Sequence, residues 1–214
     1  MARARGLVVG TGRSLEAARW RYAVERGPAD DVRGALAAYR NEDGGFGHAL
    51  EPDCRAPQSS ALATWTALEV LREIDAPADD PLVQGGVGWL VAQVATLVDD
   101  GPGWVFLPPE AQHHPHAPWW DQGVPGQLAE TFNNFRINPR ASIVALLWHW
   151  SDLVPPELLD RSANASQDAI RNRLRGNAIH DHIAAARFAG EAAVPDDYRE
   201  LAATFLGDVL PHRV

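Results

Sequence analysis

The strongest constraint on this chain is a repeated spacing. Apolar residues recur three and four positions apart in one segment after another, and Gly- or Pro-rich stretches separate the segments. That spacing lines side chains along one face of an α-helix and leaves no alternation for a strand. It predicts helices over about 14–25 (Leu15, Ala18, Tyr22), 29–40 (Val32, Leu36, Tyr39), 59–74 (Leu62, Trp65, Leu68, Leu71) and 81–97 (Val83, Val87, Leu90, Val91, Val94). A fifth opens at Asn138-Pro139, with Pro139 at the first helical position. It carries Ile143, Leu146, Leu147 and Trp150 until Pro155 stops it. Three more fill the C-terminal third: 166–175 with Gly176 as C-cap, 178–189 on Ile179 and Ile183, and 196–210 on Tyr198, Leu201 and Phe205. Val105-Phe106-Leu107 is too short to count as a strand, so the fold class is all-α. Residues 1–13, with Gly10-Thr11-Gly12, read as a flexible start.

Composition narrows the chemistry. All 19 basic residues are Arg, which excludes a Lys Schiff base and a P-loop lysine. With 28 acidic residues the net charge is −9, a poor match for nucleic acid or an anionic membrane surface. Cys54 is the single cysteine, so an internal disulfide and a multi-Cys zinc site are both excluded. A reduced, cytoplasmic setting is expected, with no signal peptide and no membrane span. No cofactor is called for. The 214 residues suit one domain with a sizeable core.

Two places repeat. Residues 36–47 run from a helix end into Asp43-Gly44-Gly45-Phe46-Gly47, and residues 88–104 run from Trp89-Leu90 through Gln93 into Asp99-Asp100-Gly101-Pro102-Gly103-Trp104. In each, glycines permit a tight exit from a helix and an aromatic follows to seal the next turn. This pattern resembles the QW-type repeats of squalene cyclases and protein prenyltransferase β-subunits. The string Asp43–Asp53, the segment His116-Ala117-Pro118-Trp119-Trp120 and Asn138-Pro139 are similar to a group of uncharacterised actinobacterial prenyltransferase/squalene-oxidase-repeat proteins. The resemblance covers roughly residues 30–150. It implies an α/α toroid-like array of helical hairpins around an apolar cavity. At this length an incomplete ring or a homodimer is expected. The DxDD acid motif and the DDxxD diphosphate motif of that kind of enzyme are absent, and the sequence around Cys54 does not match a prenyltransferase zinc site.

Two loops concentrate the remaining reactive groups. His48, Glu51 and Asp53 follow the first glycine turn; a desolvated carboxylate there would rise in pKa and could serve as an acid, with His48 relaying the proton. The bland alternative is that Glu51 and Asp53 simply accept bonds from neighbouring helix ends, with Arg55 paired to one of them. The second loop, within the long irregular stretch 99–137, holds His113, His114, His116, Trp119, Trp120 and Asp121. Trp faces stabilise cations, which suits a carbocation or an amine ligand; the same pair could equally plug the core. The three His match no trusted zinc spacing, so no metal is assigned.

The leading expectation is a small terpene-cyclase-like enzyme, a cyclase or isomerase. Asp53 or Glu51 would be the acid, assisted by His48. Trp119, Trp120, His116, Phe46, Trp104 and Asn138 would contact an apolar or cationic small molecule. The alternative is a non-catalytic small-molecule-binding or scaffold protein on the same fold. A third reading, a glycan-processing α/α barrel, would need two carboxyls facing each other across a cleft.

Overall fold

The computed structural model describes residues 2–96, 101–123, 136–173 and 179–209. The protein is all-α: α1 (Ala2–Thr11), α2 (Ser14–Glu25), α3 (Ala29–Ala37), α4 (Ala61–Glu73), α5 (Pro81–Ala92), α6 (Arg140–His149), α7 (Pro156–Arg173), α8 (Ile179–Gly190) and α9 (Asp196–Val209). The helices pack as consecutive pairs, α2 on α3, α4 on α5, α6 on α7 and α8 on α9, and α4 and α8 both pack on α6. Ion pairs tie α4 to its neighbours on both sides: Arg19 of α2 to Glu73 at 2.7 Å, and Arg187 of α8 to Glu69 at 3.4 Å. Among the described residues, no helix is long and apolar enough to cross a membrane.

The apolar stripes of α2 to α5 form the main core, with Leu15, Val32, Leu36, Leu68, Leu71, Val83, Val87 and Leu90 all nearly inaccessible. α6 is buried on every side from Arg140 to Leu147, which makes it the central helix of the C-terminal half. A smaller cluster of Cys54, Ala56, Leu62, Phe106, Leu107 and Ala111 lies beside the main core, with Trp65 and Trp120 packed on it.

The structure differs from the sequence reading at several places. Residues 2–11 are helical, although none is buried. The helix is fastened to α2 by the Arg5–Glu25 ion pair at 2.6 Å, and within its last turn the Thr11 hydroxyl donates to the Leu7 carbonyl. α5 stops at Ala92, and Ala95–Thr96 pairs antiparallel with Pro102–Gly103 as β1 and β2. Pro139 caps α6 from outside, after a cis Asn138–Pro139 bond, instead of occupying its first turn.

α7 begins at Pro156, ten residues before the sequence suggested. Its buried stripe is Leu159, Ala163, Ser166 and Ile170; two of these four are small or polar and left the apolar pattern unreadable. On α8 the large Ile179 and Ile183 face solvent, and Ala184, Ala185 and Phe188 face the core. The expected Gly176 cap lies outside the described residues.

Candidate functional site

Both repeated turns place an aromatic in the core, by different hydrogen bonds. After α3 the chain folds into a narrow loop closed by Asn41 N–H to the Gly45 carbonyl at 2.9 Å and Gly47 N–H to the Tyr39 carbonyl at 2.9 Å. Phe46 is completely buried, and its N–H donates to Thr64 Oγ1 at 3.0 Å. After α5 the β1–β2 hairpin delivers Trp104, whose indole N–H donates to the Leu90 carbonyl at 2.8 Å. The turns are also tied to each other. Asp43 Oδ2 accepts the Trp89 indole N–H at 3.0 Å, while Asp43 Oδ1 accepts Gly45 N–H at 3.0 Å and the Ser59 hydroxyl at 2.7 Å. A Cβ on Gly45 would lie 2.8 Å from the Trp89 ring, so glycine is what lets the two repeats touch.

These fastenings form one wall of a cleft of about 810 Å³. Its sides are the start of α4 (Ser59, Ser60, Ala61), the end of α5 and the residues just after it (Trp89, Ala92, Gln93, Val94, Ala95), and the connector after β2 (Trp104, Val105, Leu107, Pro108, Pro109). Gln112, His113, Gln122 and Gly123 complete the rim. Gln112 and Gln122 are held in place: Gln122 N–H donates to Gln112 Oε1 at 2.6 Å, and Gln122 Nε2 donates to the Pro108 carbonyl at 3.1 Å. Among the described residues the lining contains no Arg, Asp or Glu, and His113 is its one titratable side chain.

The carboxylate loop is built differently. His48 and Ala49 both adopt left-handed backbone angles (φ 55° and 61°), which turns the chain sharply after Gly47. His48 Nε2 donates to Asn41 Oδ1 at 2.8 Å, so its imidazole braces the glycine turn and lies exposed. Arg13 reaches over from the start of α2 and donates to the Ala49 and Leu50 carbonyls at 2.6 and 3.1 Å.

Downstream, the loop pairs with the connector. Arg55 N–H donates to the Pro115 carbonyl at 2.9 Å, Ala117 N–H to the Asp53 carbonyl at 2.7 Å, and Cys54 and His116 form a β-bridge. The exposed Trp119 donates its indole N–H to Asp53 Oδ2 at 2.8 Å, while Asp53 Oδ1 is buried with no partner among the described residues. Among the described residues Glu51 has one weak donor, the Thr66 hydroxyl at 3.4 Å. Burial pushes the Glu51 carboxyl above its ordinary range, and the nearby Asp53 charge pushes the same way. Burial also raises the Cys54 thiol, so it is not an activated nucleophile.

The structure therefore brings Glu51, Asp53, His116 and Trp119 to one loop junction, and puts Trp104 and His113 in the cleft. Trp120 packs edge-on against Phe106 at 5.5 Å in the smaller cluster. Phe46 is core, and Asn138 sits at the α6 entrance with its N–H donating to Asp181 at 3.2 Å. The three His do not converge: His113 is on the cleft rim, and His116 Nδ1 lies 2.6 Å from the His114 carbonyl. Among the described residues, no group of His, Cys, Asp and Glu is arranged to hold a metal ion. Trp89, Ser59 and Leu107-Pro108-Pro109 were not singled out from sequence as contacts. The apolar run ending in two prolines was the available signal.

No family model matches the chain, and no curated protein matches it.

Proposed function

We propose that the protein binds an uncharged, largely apolar small molecule in the cleft between the start of α4, the end of α5 and the connector. One observation carries this reading: among the described residues the lining has two Trp, aliphatic side chains and prolines, with amides, hydroxyls and the imidazole of His113 but no carboxylate or guanidinium. Such a surface gains from excluding water and offers a few polar groups for orientation. Among the described residues, His113 is the one lining side chain that can carry positive charge against a diphosphate. The aromatic-ended glycine turns shared with QW-type repeat proteins support an arc of hairpins around this apolar space.

Calorimetric titration with farnesol and with farnesyl diphosphate tests the proposal. Saturable farnesol binding is expected, lost in Val105→Arg, which puts a charge into the cleft. Tighter binding of the diphosphate, or unchanged farnesol binding by Val105→Arg, would overturn it.

A second reading has its own observation. The raised Glu51 carboxyl and the bare, buried Asp53 Oδ1 together form an acid pair. We propose that, if the protein is catalytic, Glu51 is the proton donor, with Asp53 beside it. Incubation with squalene or geranylgeraniol and product analysis by mass spectrometry tests this. Glu51→Gln and Asp53→Asn should each abolish product while the fold persists. Product formation undiminished in both variants would remove the loop from the chemistry.

A further inference from the structure

A second, smaller cavity of about 230 Å³ opens where α4, α6 and α8 meet, far more polar than the cleft. Glu69 and Arg72 come from α4, Ser142 from α6, and Arg187, Gly190 and Glu191 from the end of α8. The charges are balanced and joined: Arg72 bonds Glu69 at 3.0 Å and approaches Glu191 at 3.5 Å, and Arg187 approaches Glu69 at 3.4 Å. The guanidinium of Arg187 also lies over the Trp65 ring at 4.9 Å.

This network leaves capacity unused on both signs. Ser142 is 1% exposed, and its hydroxyl has no partner among the described residues; the buried Arg72 Nε is in the same position. A carboxylate offers about four acceptor sites. Glu69 receives Trp65, Arg187 and Arg72. Glu191 receives Ala193 N–H, with His149 and Arg72 at longer range. About one site therefore remains on each. Residues with spare donors and residues with spare acceptors line the same cavity, and Ala145 and Leu146 complete the lining. A molecule with net charge would upset a balanced, partly desolvated set, whereas one carrying both charges completes it. The Arg72 and Arg187 side chains are both more than a third exposed, which gives an entry from solvent.

We propose that this cavity binds a small zwitterion of free amino-acid size. Its carboxylate is received by Arg72 Nε and Ser142 Oγ, and its ammonium by Glu69 and Glu191. The site is separate from the apolar cleft and does not depend on the reading of that cleft.

Calorimetry on the full chain with L-alanine, and with acetate and methylamine as its two charged halves at matched ionic strength, tests the assignment. Saturable binding of L-alanine is expected, with neither half binding comparably. Ser142→Val removes one donor with little change of shape, and Gly190→Leu adds bulk where a Cβ has open space. Each should weaken L-alanine by about tenfold or more while the cooperative thermal melt of the fold is kept. No saturable heat from L-alanine, acetate binding as tightly as L-alanine, or full binding in both variants would overturn the proposal.

Discussion

The cleft and the carboxylate loop share one connector and use it for opposite ends. Residues 104–113 turn apolar side chains and a His into the cleft, while residues 115–119 of the same stretch of chain clamp the backbone of Asp53 and Arg55. The cleft has aromatic walls and, among the described residues, no acid. The loop has the raised carboxyl and an exposed Trp, but neither Glu51 nor Asp53 lines the cleft. Protonating an apolar substrate requires the acid and the aromatic enclosure to touch the same molecule. That separation is why ligand binding in the cleft is the better supported function.

The largest effect that would test this contrast falls on the cleft side. Trp104→Ala removes a 2%-exposed indole and its bond to Leu90, and should cost about 3–5 kcal/mol in chemical denaturation along with farnesol binding. Asp43→Ala lies outside the lining, yet it frees the Trp89, Ser59 and Gly45 donors at once. A loss of about 1–3 kcal/mol is expected, with weakened farnesol binding because two of those residues form the wall.

The loop should respond to pH and not to the cleft ligand. A carboxyl whose native pKa is raised binds its proton more tightly folded than unfolded. The Glu51 contribution is therefore fully present below its ordinary value of 4.5 and lost as pH rises through the higher native value. Thermal melts across the acid-to-neutral range should show wild type losing stability relative to Glu51→Gln as pH climbs. Parallel curves would show that burial does not perturb the carboxyl.

The smallest effect belongs to Trp119→Ala. The side chain is 67% exposed, so stability should change by less than about 1 kcal/mol and farnesol affinity not at all. A change in farnesol affinity would join the two regions that the geometry separates.

The helical class was legible because Leu15, Val32, Leu36, Leu68, Val83 and Val87 are large, apolar and periodic. It was illegible wherever small side chains fill a close contact. Ser162, Ala163 and Ser166 bury the middle of α7 without any apolar signal, and Ala184 and Ala185 outrank Ile179 and Ile183 on α8 for the same reason. Of the site, the loop containing Glu51 and Asp53 was visible as a concentration of titratable groups. Its separation from the cleft was not, because that depends on how residues 101–123 run past the start of α4 and the end of α5. The Ser142 cavity left no sequence signal at all, since its members come from three separate stretches of chain between residues 69 and 191.

The Asp43–Trp89 bond has a kinetic meaning beyond the wall it builds. Its partners are 46 positions apart, and the ring sits against a glycine that admits no side chain. Closing this contact costs the loop entropy of the intervening chain, so the Trp89 bond is added to the turn only once α5 has docked. A truncated first hairpin alone would keep the turn's own backbone bonds and lose the Trp89 and Ser59 donors that hold Asp43.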